Sequence, residues 1–210
     1  MKVTKYPQSC LIIEKDGKRI IIDPGSLVSP KYRAEDLFPA EAILITHEHA
    51  DHADPALIDD LTRGGQMIVV GNQSTSKAFG GIVTKVVSDG EKFEIAGFSI
   101  TARELPHVAM VDGSAGPQNT GYLIDDVFFH SGDGIKIDNL TVNAVAAPIA
   151  GPDISPRDVF SFVKSLGCDT VIPVHYDYFS ADPNFFAKLL APVKPGIKII
   201  VLADEQSVEL

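Results

Sequence analysis

The stretch ILITHEHADHADP, residues 43–55, drives an apolar run straight into three of the chain's six histidines, with Asp51 among them. The segment AILIT, residues 42–46, reads as a strand that delivers this cluster. In extended backbone, residues two apart point the same way, so His47, His49 and Asp51 line one side of the chain as it leaves the strand. His52 has to reach elsewhere. A backbone turn at Ala50–Asp51 would fan the four side chains around two neighbouring points, which is what a two-metal site requires.

Downstream, Asp54 caps a predicted helix whose first position is Pro55, with ALIDDLTR as its body and Gly64 as its stop. Upstream, SCLIIEK and RIIID flank the turn pair Asp16-Gly17 and predict a hairpin. Strands resume at MIVVG and VTKVV, followed by a hairpin in EKFEIAGFSITARELP around Ala96-Gly97, a tight pair in GYLIDDVFFH and a buried strand in LTVNAVAAPI. SPRDVFSFVKSLG repeats the helix pattern, with Ser155 as cap, Pro156 at the first position and Gly167 as stop. TVIPV ends at His175, Asp182-Pro183 opens a last helix through NFFAKLL, and IKIIVL is the final predicted strand. The sum is a strand-rich α/β or α+β chain, hairpins early and helix–strand alternation late.

With 210 residues, 45% of them hydrophobic and 22% charged, the chain reads as one soluble globular domain, residues 1–210. No apolar run approaches the ~20 residues that span a bilayer. The start, MKVTKYPQSCLIIEKDGKR, lacks a signal-peptide core, so the expected location is cytoplasmic. Cys10 and Cys168 match no ligand spacing and read as small core residues. A net charge of −10 without any basic stripe argues against nucleic-acid binding. The expected partner is a small-molecule substrate, without nucleic acid or membrane insertion, and a homo-oligomer is compatible with the pattern.

Imidazole nitrogen and carboxylate oxygen together suit zinc, manganese or iron. A two-metal centre needs more donors than the cluster holds. His107 in ELPHVAM, Asp133 in FFHSGDG and His175 in VIPVHYDYF each stand where an apolar run meets a polar loop. His130 lies three residues before Asp133. Asp23, in IIIDPG, is equally readable as part of a turn.

These motifs resemble, in order and over nearly the whole chain, those of the metallo-β-lactamase superfamily: IIIDPG its first, THEHADH its second and most specific, then His107, Asp133 in SGD, and His175. The resemblance implies a four-layer αββα sandwich with metals at one edge of two packed sheets. It implies that His47, His49 and His107 bind one metal, that Asp51, His52 and His175 bind the other, that Asp133 bridges them, and that Asp23 supports the metal loop. The lack of a signal peptide and the presence of SGD depart from the antibiotic-hydrolysing members. The compact form looks most similar to the branch that contains ascorbate-6-phosphate lactonase and N-acylphosphatidylethanolamine phospholipase D.

The chemistry expected of such a site is hydrolysis by a metal-bridging hydroxide, with two divalent ions, zinc foremost and manganese or iron as alternatives. An ester, lactone or phosphodiester is the expected target, with Asp51 orienting the hydroxide or accepting its proton. His130, where it faces the site, is a candidate general acid or transition-state donor. The loops HVAMVDGSAGPQNTG and HYDYFSADP are expected to contact substrate. The competing reading is a metal-binding sensor or interaction protein without turnover.

Overall fold

The computed structural model describes residues 1–65, 67–193 and 195–210. The first half of the chain builds one sheet: β1 Lys2–Lys5, β2 Leu11–Lys15, β3 Lys18–Ile22, β4 Ala42–Leu44, β5 Ile68–Gly71 and β6 Lys85–Val86. The second half builds another: β7 Lys92–Ile95, β8 Phe98–Pro106, β9 Gln118–Ile124, β10 Phe128–His130, β11 Ala144–Pro148, β12 Thr170–Val174 and β13 Lys198–Ile199. The last strand, β14 Ser207–Glu209, returns to the first sheet and pairs with β1. The orders are β14-β1-β2-β3-β4-β5-β6 and β13-β12-β11-β10-β9-β8-β7. In both sheets the hairpin strands are antiparallel, and β3-β4-β5-β6 and β10-β11-β12-β13 are parallel, joined by helices except for β10 and β11, which a helix-free segment connects.

The uninterrupted isoleucines of β3 explain the layering. Ile20 and Ile22 enter the core between the sheets with Leu11, Phe98, Tyr122 and Phe128. Ile21 faces the other way, against Leu57, Ile58 and Leu61 of the helix Pro55–Thr62. A strand buried on both faces needs apolar residues at every position. On the second sheet, Phe129 and Val145 pack against Val159, Phe162 and Val163 of the helix Pro156–Ser165 and Phe186 of the helix Pro183–Leu190. Helix, sheet, sheet, helix is the αββα sandwich.

The helix caps are where their chemistry places them. Asp54 accepts hydrogen bonds from the amides of Ala56 and Leu57, Ser155 from that of Asp158, and Asp182 from that of Asn184. Each is followed by Pro at the first helical position, where the missing amide costs nothing. Two further helices, Ala34–Leu37 and Gln73–Phe79, carry no strong sequence pattern. Two expected strands shrink: VTKVV to Lys85–Val86 and IKIIVL to Lys198–Ile199, each at the outer end of a sheet with one neighbour to pair with. The expected loop 107–121 loses its last four residues to β9, which pairs with β8 from Pro106↔Gln118 onward. Among the described residues, no helix is long and apolar enough to cross a membrane.

Candidate metal centre

The donors stand beyond the C-terminal ends of strands from both sheets: His47, His49, Asp51 and His52 after β4, His107 after β8, Asp133 after β10 and His175 after β12. The structure gathers them into two groups, His47, His49, His107 and Asp133, and Asp51, His52 and His175, the ligand atoms of each group lying within 4.8 Å of one another. The split is made by a turn at Ala50–His52, where the amide of His52 donates to the carbonyl of His49 at 2.9 Å. Asp51, on one side of an extended chain with His49, is thereby carried into the other group.

Asp133 lies between the groups. Its Oδ1 is 3.2 Å from His52 Nε2, and its Oδ2 is 3.1 Å from His175 Nε2 and 3.5 Å from His107 Nε2. The loop that presents it is tight. Asn119 accepts from the Asp133 amide and donates to the Ser131 carbonyl. At Gly132, with φ +57°, a Cβ would come within 2.2 Å of Asn119 Oδ1 and 2.8 Å of Thr46 Cβ.

Hydrogen bonds at the far nitrogen fix which face each imidazole presents. Nδ1 of His52 meets Asp23 Oδ2 at 2.7 Å, Nδ1 of His107 meets the Val108 carbonyl at 2.6 Å, and Nδ1 of His175 meets the Ala150 carbonyl at 2.6 Å. These partners can only accept, so Nδ1 carries the proton. Thr46 Oγ1 donates to Asp23 Oδ2 and so accepts from His47 Nδ1 at 3.0 Å. In His47 and His107 the Nε2 lone pair is left aimed at the donor cluster, the tautomer a metal ligand needs; in His52 and His175, whose pKa values the neighbouring carboxylates raise, Nε2 is the atom a metal would take in exchange for a proton. His49 presents Nδ1, 3.1 Å from His47 Nε2.

His107 Nε2 is buried without a hydrogen-bond partner, and His52 Nε2 and Asp133 Oδ1, though 3.2 Å apart, are not aligned for a hydrogen bond. Leaving such atoms unsatisfied costs about 1–3 kcal/mol each, and a cation that takes their lone pairs removes the penalty. The donor set therefore fits divalent metal. Electrostatics agree. Burial pushes the Asp133 carboxyl up, but the imidazoles of His52 and His175 outweigh it and hold it well below its usual range. Burial and the neighbouring histidines push His47 and His49 down, toward the neutral ligand form. His175 is moved oppositely: burial lowers it, yet Asp133 and Asp51 raise it to about 9. Asp51, raised by burial and lowered by its bond to His175, settles at about 2.

Asp23, fully buried at φ +50°, accepts from the amide and hydroxyl of Thr46 as well as from His52. It orients the ring and the chain that enters the cluster. Gln8 is the residue that sequence reasoning missed. Buried at φ +62°, it donates from Nε2 to Asp51 Oδ2 at 2.8 Å. Its Oε1 accepts from the Tyr178 amide, its carbonyl from the His175 amide, and its own amide donates to Asp177. No spacing or composition in YPQSC points to this, because all four partners lie 43 or more residues away.

His130 corrects an expectation. It is fully buried, its Nε2 bonded to the Ser9 carbonyl at 2.9 Å while its Nδ1 accepts from the Gly132 amide at 3.2 Å. Both nitrogens are committed to backbone in a neutral ring, so it has no proton to give a substrate. Tyr176 and Asp177 likewise turn away from the cleft: Tyr176 donates to the Leu202 carbonyl and Asp177 pairs with buried Lys5. The cleft itself, about 370 Å³, opens over His49, Asp51, His107, Asp133 and His175.

A two-sheet sandwich with two histidine–carboxylate groups at one edge of its strands defines a metallo-hydrolase type of protein. The chain belongs to the beta-lactamase superfamily domain family, whose model matches residues 2–175. It is 33% identical to a UPF0173 metal-dependent hydrolase of Thermoplasma volcanium, over 100% of this chain and 99% of the relative. Among solved structures, its fold is similar to Igni18, a metallo hydrolase from Ignicoccus hospitalis, with TM-score 0.76 and 23% identity over 99% and 97% of the two chains. It is also similar to an isothiocyanate hydrolase from Delia radicum gut bacteria, with TM-score 0.77 and 16% identity over 100% and 99%.

Proposed function

We propose that this metal-dependent hydrolase holds two divalent ions, zinc foremost with manganese or iron as alternatives, and cleaves a small ester, lactone or phosphodiester. The observation that carries the proposal is Asp133, one buried carboxylate within 3.2 Å of a histidine on one side and within 3.5 Å of another on the other. His47, His49 and His107 would hold one ion, Asp51, His52 and His175 the other, and Asp133 both. Bound there, divalent metals supply hydroxide at neutral pH and polarise the scissile carbonyl or phosphoryl oxygen.

The chain's own residues do the rest. Asp51 is ionised at neutral pH and serves as an acceptor that orients the attacking water. Gln8 fixes its free rotation by bonding Oδ2. Asp23, Thr46 and the Val108 and Ala150 carbonyls keep the rings in one tautomer, so no reorganisation is needed at the moment of reaction. A small molecule in the cytoplasm is the proposed substrate. The donors face an open cleft rather than a closed four-coordinate cage, which favours turnover over a purely structural or sensing role.

The test is elemental analysis of untagged protein purified without chelator, beside the Asp133→Ala variant. About two metal atoms per chain, with both occupancy and turnover reduced in the variant, is the expected result. One atom or none, persisting after incubation with each metal, would overturn the binuclear proposal.

A further inference from the structure

The cleft walls that rise from the donors are apolar. Val111, Tyr178 and Phe179 stand 88%, 67% and 40% exposed along its rim, joined by Met110 and Pro152. Scattered exposed apolar residues need no explanation, but a gathered set marks a binding surface. The Phe179 ring is centred 5.9 Å from that of His175 and 5.2 Å from that of Tyr178, so the wall begins beside a metal-ligand candidate and runs outward. It is also anchored, since the Tyr178 amide bonds the same Gln8 that holds Asp51.

Cations are missing from this wall. Among the described residues, no lysine or arginine lines the cleft. Lys136 lines a separate cavity beside His107, in company with Asp153 and Asp158. Sites that receive phosphoryl groups commonly supply Arg or Lys to the oxygens that stay anionic throughout. Here a phosphate would have to rely on the metals alone, on a protein of net charge −10.

We infer that the cleft takes a neutral carboxylic ester or lactone with an apolar arm, and that Val111, Tyr178 and Phe179 select for that arm over a phosphate-bearing substrate. The inference rests on the hydrolytic reading of the same site. In the reaction the oxygen of water bonds to the acyl carbon and the acyl C–O bond breaks. One proton of the water goes to the departing alkoxide, and the acid formed releases the other.

The test uses the full-length metal-loaded protein with p-nitrophenyl acetate, butyrate and hexanoate, and with bis(p-nitrophenyl) phosphate. The kcat/KM of the esters is expected to rise about 3-fold per methylene while the arm lies on the wall. Phe179→Ala should cut the hexanoate-to-acetate ratio about 10-fold, and Phe179→Leu should restore most of it, which separates loss of the wall from misfolding. Val111→Lys, at an exposed position, should raise the phosphodiester-to-ester ratio several-fold, whereas Lys136→Ala should leave the series unchanged. Ester rates that do not depend on chain length, or hydrolysis of the phosphodiester alone, would overturn the inference and leave the hydrolase standing. No turnover of either class by protein holding its metals would overturn the hydrolytic reading and the inference with it.

Discussion

Gly25 is the position at which a single methyl group should do most damage to the second donor group. It follows β3 and Asp23 and lies against the turn that carries Asp51 and His52. A Cβ there would sit 1.9 Å from the Asp51 carbonyl oxygen, 2.1 Å from its carbon and 2.7 Å from the His52 amide nitrogen. All three are backbone atoms, so no side-chain rotation relieves the clash. Ordinary contact begins near 3.4 Å, and the two segments must part by about 1.5 Å. That movement breaks the hydrogen bonds joining them, from the Ser26 amide to the Ala50 carbonyl at 2.7 Å and from the Asp54 amide to the Pro24 carbonyl at 3.0 Å. Two backbone hydrogen bonds are worth about 2 kcal/mol, and overpacking adds about 1–3 kcal/mol, so Gly25→Ala should destabilise the fold by about 3–5 kcal/mol. In the molecules that stay folded, the displaced Asp51 and His52 should weaken metal binding at their group about 10- to 100-fold, with His47, His49 and His107 less affected. Denaturant unfolding and metal titration read the two effects. Gly64→Ala is the control, because a Cβ there meets nothing within 4 Å. A Gly25→Ala protein as stable and as metal-rich as the Gly64→Ala protein would mean that this close approach does not hold the turn of Asp51 and His52 in place.

Gln8→Ala should lower metal affinity at the Asp51 group by about 10-fold and lower turnover with it, because Asp51 Oδ2 and the loop of Tyr178 lose their shared anchor; metal titration against the wild type is the check. His130→Gln should cost about 1–3 kcal/mol by disturbing the backbone contacts at Ser9 and Gly132, yet leave the pH profile of kcat unchanged; disappearance of one limb of that profile would return His130 to the reaction. In the metal-free protein, His175 holds its proton up to about pH 9, whereas the unfolded chain releases it near 6.5. Its stabilisation, of order 3 kcal/mol, is therefore full below pH 6.5 and lost as pH rises through 9, and chelated protein should melt lower at pH 9 than at pH 6.5. Metal-loaded protein should show the reverse trend in metal affinity, since the ion competes with that proton. Melting curves at both pH values, with and without chelator, decide it.

Local chemistry wrote much of the fold legibly. The caps at Asp54, Ser155 and Asp182 act on amides two to three residues away, so sequence alone locates those helix starts. The apolar run before His47 and the unbroken isoleucines of β3 announce strands buried on both faces. The pairing of β1 with β14 could not be read, because Lys2 meets Glu209 across the whole chain and both segments are short and mixed in polarity. His130 and Asp133 look alike as polar residues at a strand end. Only the position of the Ser9 carbonyl, 121 residues earlier in the chain, turns one inward to backbone while its neighbour faces the histidines.

Residue types and their spacing set which atoms are available to the site: six histidines, the carboxylates among them, and apolar strands to carry them to one edge. Tertiary structure alone decided their grouping and tautomer, because those depend on a turn at Ala50–His52 and on acceptors from Asp23, Val108 and Ala150. It also decided the part played by Gln8. A ring nitrogen becomes a ligand when its other nitrogen has a partner: for His47 and His107 that partner is the adjacent residue, and for His52 and His175 it comes from another segment of the chain.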